Sequence, residues 1–221
     1  MKRIFLFSMF FIAFLSCLWS EEASDNQVKE KYRKISVRFN LQYESPFAGK
    51  AGEGSNPPGY GDVFRPEFGG GLEIGFSVLP NHQAIIGIEE KKLIGKDFEG
   101  IRFSDRKFIA VYASWKMNIL SNRDSSKKPY LRVDIGAASL SKVDITYYTI
   151  RNDYWDSSWV PMIRVGVGIE LILIDWNVYS NGVFLEVKFQ YLGRSPSLMS
   201  PYSDAGGSWS IPVSIGLSFN L

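Results

Sequence analysis

Base catalysis in this chain would rest on a single histidine. His82 is the only one among 221 residues, and it stands in Pro80-Asn81-His82, a turn pattern. One histidine excludes a centre that needs two, such as a His-rich zinc site. The one cysteine, Cys17, cannot form an internal disulfide. No glycine-rich phosphate loop or metal-ligand spacing occurs, so no metal or other cofactor is expected; Gly69-Gly70-Gly71 reads as a bend at a strand start. What does recur is charge at alternate positions. Arg38, Lys116, Arg132, Arg164 and Lys188 fall in one phase of alternating runs, and Glu73, Glu89, Asp134, Glu170 and Glu186 fall in the same phase. The two signs are equal in number. Unpaired charges in a narrow, desolvated space would be costly, so a balanced set predicts a network of ion pairs and hydrogen bonds. Glu73, Glu89 and Glu170 have a simpler role there than as a carboxylate-only catalytic site.

The elements that position these residues have period two. Ile35 to Tyr43, Ile163 to Leu171 and Ile211 to Leu221 alternate strictly. At 45% hydrophobic content, one nine-residue run of this kind is expected roughly 0.4 times by chance, so three of them carry a signal. Leu72 to Val78, Leu131 to Ala137 and Leu185 to Tyr191 are shorter runs, Ile109 to Ile119 is a seventh, and Gln83 to Gly95 is the weakest because both its faces are mixed. Eight strands of about 9–13 residues follow, with almost no helical signal. Short connections near Pro80, Ser121 to Pro129 and Asp175 to Gly182 alternate with long ones at Glu44 to Glu67, Lys96 to Asp105, Ser139 to Trp159 and Arg194 to Ser208. An up-and-down sheet with tight turns at one end and long loops at the other has this layout.

On these runs, over roughly residues 34–221, the sequence resembles small eight-stranded outer-membrane barrels, such as the transmembrane part of OmpA, OmpX, OmpW and the opacity-type proteins. The resemblance implies an all-β, eight-stranded antiparallel up-and-down transmembrane barrel. In such proteins the barrel-assembly machinery reads an alternating last strand with a terminal aromatic. Val213, Ile215, Leu217, Phe219 and Leu221 match it, with Leu in place of the aromatic. Hydrocarbon admits only closed sheets or helices, and tilted strands of 9–11 residues cross it. Tyr43, Trp115, Tyr130, Trp159, Trp176, Tyr191 and Trp209 lie near predicted strand ends, as interfacial girdles would. A soluble lipocalin-like carrier also fits eight strands. Its exterior would then be Ser214, Gly216, Ser218, Asn220 and glycines such as Gly166 and Gly168, which suit a narrow lumen better than a water-facing surface.

Residues 1–20 read as a secretory signal: Lys2 and Arg3 precede an apolar stretch from Ile4 to Leu15, too short to span a bilayer. Cleavage after Ser20 and acylation of Cys17 in a loose lipoprotein box both remain open. Residues 21–33 are expected to be a short periplasmic segment before the barrel. A formal net charge of +2 offers nothing to nucleic acid.

The expected place is the bacterial outer membrane, among its lipids, as a monomer with both mature termini in the periplasm. An eight-stranded lumen is filled by its own side chains, so the charge set reads as a plug, with a gate as the sharper alternative. The expected role is structural or surface-interacting, as an adhesin would be; the resemblance also implies alternatives, a narrow pore or a conduit for small or apolar solutes and, less favoured, a lipid-modifying enzyme. Enzymes of that kind place a histidine near the outer rim, whereas His82 is expected at the opposite end, so no activity is expected. A host or cell-surface ligand would meet the outer loops. Glu44 to Glu67 is rich in Gly and Pro and reads as mobile. Val143, Ile145 and Tyr147 continue an alternation, and Tyr154 and Trp155 follow an expected turn at Arg151 to Asp153. A projecting hairpin would then expose Tyr147, Tyr148, Tyr154 and Trp155 for binding; the plainer reading places such aromatics in the outer girdle.

Overall fold

A strand with one apolar face must meet apolar matter on that face, and eight such strands can do so by closing on themselves with that face outward or inward. The computed structural model describes residues 35–49, 51, 58–119, 126–175, 179–193 and 207–221. Its long strands are β1 (Ile35–Ala48), β2 (Glu67–Leu79), β3 (His82–Gly95), β4 (Arg106–Asn118), β5 (Lys127–Leu140), β6 (Ser158–Asp175), β7 (Ser180–Leu192) and β8 (Ser208–Asn220). Each pairs antiparallel with the strands before and after it. Pairing of β1 with β8, from Ser36 opposite Asn220 to Ala48 opposite Trp209, closes the barrel. Beyond that seam Ile35 and Leu221 exchange both backbone hydrogen bonds. The strands run 13 to 18 residues, longer than the alternation suggested, because their polar ends keep pairing past the apolar stretch.

The apolar face points out. Phe39, Leu41, Ile86, Ile135, Val165, Ile215 and Leu217 are exposed on the wall, whereas Arg38, Asp134, Arg164 and Glu186 are buried within it. This arrangement overturns the soluble alternative: only a hydrocarbon surrounding would cover such a belt. Among the described residues no helix is long and apolar enough to cross a membrane, so crossing falls to the strands.

One end carries the tight Pro80-Asn81 turn and Leu221; the other carries the long links. At the loop end two links build a second sheet, with Asp97–Phe98, Ile101–Phe103, Val143–Tyr147 and Ile150–Trp155 in antiparallel sequence. A helical turn, Tyr60–Val63, and the short strand Phe64–Arg65 join it from the first link, the latter pairing with Gly95 and Ile94 of β3. Tyr60, Val63, Phe64, Leu93, Phe103, Val143 and Trp155 form the buried core of this cap.

Three expectations change. Residues 60–64 of the Glu44 to Glu67 link are packed rather than free, because Tyr60, Val63 and Phe64 join the cap core. The outer hairpin turns at Tyr148 and Thr149, not at Arg151 to Asp153, which lie in its second strand. His82 begins β3 and accepts a hydrogen bond from the Trp115 indole (3.1 Å) instead of being a bare turn residue. The signal segment, Cys17, residues 21–33 and Trp176 lie outside the described residues.

Candidate functional site in the lumen and at the loop end

Inward phase brings charged side chains from β1 to β7 into one space with little water, where each must find a partner. Glu73 on β2 is the hub. It accepts hydrogen bonds from Arg38 Nη1 (3.1 Å), Arg132 Nη1 (2.9 Å) and the Tyr112 hydroxyl (2.9 Å). Arg132 also donates from Nε to Asp134 (2.6 Å) and from Nη2 to Ser114 (2.9 Å). Asp134 meets Arg164 Nε (2.9 Å) and Lys188 (3.3 Å), and Lys188 reaches Glu186 at 2.6 Å. Toward the loop end, Arg164 donates to both oxygens of Glu89 (2.6 and 2.7 Å). Toward the turn end, Lys116 and Ser218 each donate to Glu170 at 2.6 Å. The ten charged residues therefore lie together, all buried.

The phase of the strands carries further members. Glu44 and Lys91 pair with each other, and Gln190 donates to Glu44 (2.9 Å). Both follow the inward phase, Glu44 two residues beyond Gln42 and Lys91 two beyond Glu89. Two tyrosines are the other addition. Tyr130 does not belong to the girdle: its side chain lies in the lumen, accepts from Arg38 (2.9 Å) and donates to Glu186 (3.0 Å). Lys116 sits 4.4 Å from the Tyr130 ring centre and Arg164 sits 4.3 Å from that of Tyr112. Each ring thus faces a cation while its hydroxyl ties down a carboxylate.

Glycine makes room for these rings. A Cβ on Gly168 would lie 2.4 Å from Tyr130 Cζ, and one on Gly87 would lie 2.5 Å from the Tyr112 ring. Neither ring can swing away without breaking its hydroxyl contact. Gly168→Ala is therefore expected to lower stability by about 1–3 kcal/mol, seen as a lower urea midpoint at unchanged slope. An unchanged midpoint would mean that the ring has space to yield.

Above the charges, Phe108, Leu140, Val160, Met162 and Leu192 form an apolar collar. A cavity of only about 20 Å³, room for about one water, lies between that collar and the cap, lined in part by Glu44, Tyr60 and Arg106. The cap closes over it. Trp155 packs on Tyr60 (5.8 Å between ring centres) and Phe64 (6.0 Å), and the Arg106 guanidinium stands 4.8 Å from the Trp155 ring centre. Burial raises the Tyr60 hydroxyl above its usual range despite the nearby Arg106.

The surface candidates separate here. Trp155 is 2% exposed and belongs to the cap core, so it is unavailable to a partner. The bulge between Asp153 and Trp155 turns it inward. Tyr154 is partly buried and donates its hydroxyl to the Ala51 carbonyl (3.0 Å). Tyr147 and Tyr148 stay outside, 49% and 84% exposed, with their rings edge to face at 4.5 Å. Tyr148 takes φ 55°, a left-handed conformation that a residue with a large side chain adopts at a cost. Behind them Asp144 holds Arg151 and lies 3.4 Å from Lys142. Partial burial pushes the Asp144 carboxyl up, but the Arg151 hydrogen bonds and both cations bring it below the usual carboxylate range.

No group of His, Cys, Asp and Glu that could hold a metal occurs among the described residues. His82 and Trp115 sit at the turn end, away from the cap. No protein-family model matches the sequence, and no curated protein matches it either. Likeness appears in three dimensions. Neisserial surface protein A, from Neisseria, is 12% identical, with 85% of this chain and 97% of that one covered at a TM-score of 0.52. OprG from Pseudomonas aeruginosa, an outer-membrane protein, is 10% identical, with coverage of 85% and 96% and a TM-score of 0.54. The chain folds as a small outer-membrane β-barrel. With its belt of exposed hydrocarbon, the bacterial outer membrane is where this barrel resides.

Proposed function

We propose that this protein is a surface-interaction barrel: residues 1–20 export it, the barrel-assembly machinery inserts it as a monomer, and the cap faces outward. The lumen acts as a plug, not as a pore or an active site. The observation that carries this reading is the pairing of lumen charge beneath a packed cap. Arg38, Glu73, Arg132, Asp134, Arg164 and Glu186 are each 1% exposed or less, which supports a lumen filled by its own side chains. Position argues against a histidine-based hydrolase, since His82 and the cap are at opposite ends. The cap has a core of its own, so it can hold a rigid tip, and what it holds out is the Tyr147–Tyr148 pair. Two rigid aromatics bring large contact area at low entropic cost, which suits a cell-surface or matrix ligand.

The test joins two readouts. Cells displaying the protein should adhere to host cells or matrix, and Tyr147→Ser with Tyr148→Ser should reduce adhesion roughly tenfold or more, as loss of a hot spot does. The refolded barrel should remain electrically silent in planar bilayers. Undiminished adhesion by the variant would remove the role of the tip, and a steady unit conductance would restore the pore.

A further inference from the structure

On β3 and β4 the apolar outward face gives way to charge toward the loop end. The outward residues run Ile86 opposite Ala113, Ile88 opposite Val111, Glu90 opposite Ile109 and Lys92 opposite Lys107. Two lysines directly opposed across strands repel each other. A third cation, Arg65, pairs in register with Ile94, two residues beyond Lys92. Asp105 accepts from Lys92 (2.6 Å) and from the Gly95 amide (3.0 Å), and its carboxyl is held below the usual range first by the Lys92 hydrogen bond, with Arg65 contributing. Lys107 has no side-chain partner among the described residues and is exposed. Counting Glu90 and Asp105 against the three cations leaves one positive charge in excess at the rim of the belt.

Chemistry at that height selects the ligand. Lysine stems can lie along hydrocarbon while their ammonium groups reach the polar boundary of a bilayer, where lipid phosphates lie. Beside them, Ser139 pairs in register with Ile109 and Trp159, and Trp159 is 63% exposed. Its outward ring suits the same boundary. We infer that Lys92 and Lys107 form a binding site for the phosphate of an outer-leaflet lipid, whose acyl chains lie on Ile88, Ile109, Val111 and Ile135. The phosphate sits between the two ammonium groups and removes their mutual repulsion, while Asp105 keeps Lys92 in place. Outer-leaflet placement rests on the outward orientation of the cap proposed above; the test below involves no adhesion, so the two can fail separately.

The measurement is the temperature at which the folded barrel is lost, followed by gel mobility, in neutral micelles with and without diphosphorylated lipid A. Wild type should rise by several degrees, since a ligand bound to the native state alone stabilises it. Lys92→Gln with Lys107→Gln should lose roughly half of that rise or more, while Lys92→Arg with Lys107→Arg keeps it. Lys127→Gln with Lys128→Gln, at the turn end, should also keep it. An equal rise in the Gln variant, or none in wild type, would overturn the site. So would the same rise with dephosphorylated lipid A, and reproduction of the rise by inorganic phosphate would show a free-anion site instead.

Discussion

Glu73→Gln should destabilise the folded barrel by about 3–5 kcal/mol, the cost of removing one member of a buried charge set. Glu73 carries the negative charge between Arg38 and Arg132 and also accepts from Tyr112. A neutral amide leaves two guanidinium groups facing each other in a desolvated lumen and turns part of an acceptor into a donor. Urea unfolding in lipid vesicles reads the effect as a lower midpoint at unchanged slope. A double-mutant cycle with Arg132→Met separates the coupling from the two single losses. The double variant should recover part of the stability, because it removes one of the stranded cations. A loss below about 1 kcal/mol, within the range of an exposed pair, would mean that water reaches these groups and that the lumen is not sealed.

Trp155→Ala should act on the other half of the molecule. Its ring, on the second strand of the outer hairpin, meets Tyr60 and Phe64 of the first link and Arg106 at the start of β4. Truncating a buried tryptophan costs about 3–5 kcal/mol, more than a cap built from short strands can absorb. The cap should therefore open locally while the barrel stays closed. Hydrogen exchange should accelerate across Asp97–Phe98, Ile101–Phe103, Val143–Tyr147 and Ile150–Trp155, and limited proteolysis should cut within them. The temperature of the barrel transition should move little. A barrel that melts in step with the cap would show the two to be one cooperative unit, and unchanged exchange would show that Trp155 does not hold the cap.

Period two made the barrel legible because the phase that hides Arg38 and Asp134 also exposes Phe39 and Ile135. A side chain's face follows from its parity once a strand is recognised. Glu44 and Lys91 escape the pattern for different reasons. The strict alternation of β1 ends at Tyr43 although its ladder continues, and Lys91 lies inside the Gln83 to Gly95 run, whose two mixed faces obscure its phase. Tyr130 resembles a girdle residue in type and position, whereas its parity with Arg132 places it inside. The cap was hardly legible at all. Its strands have two to six residues, too few for a period to show, and its sheet joins Ile101–Phe103 to Val143–Tyr147 across forty residues of sequence. Trp155 and Tyr148 look alike as exposed loop aromatics, and only the bulge after Asp153 and the turn at Tyr148 separate them.

The central claim is that hydrocarbon meets the odd-numbered face of β8 and its equivalents, while the opposite face is sealed. Intermolecular NOE spectra of methyl-labelled protein in lipid bicelles test it without any substitution. Contacts with acyl chains are expected at Ile86, Val165, Ile215 and Leu217, which are 50%, 55%, 59% and 49% exposed. Ile85, at 1% exposure, and Met162, at 0%, should show contacts neither with lipid nor with water. Silent Ile215 and Leu217 methyls, or water contacts at Ile85 and Met162, would contradict it.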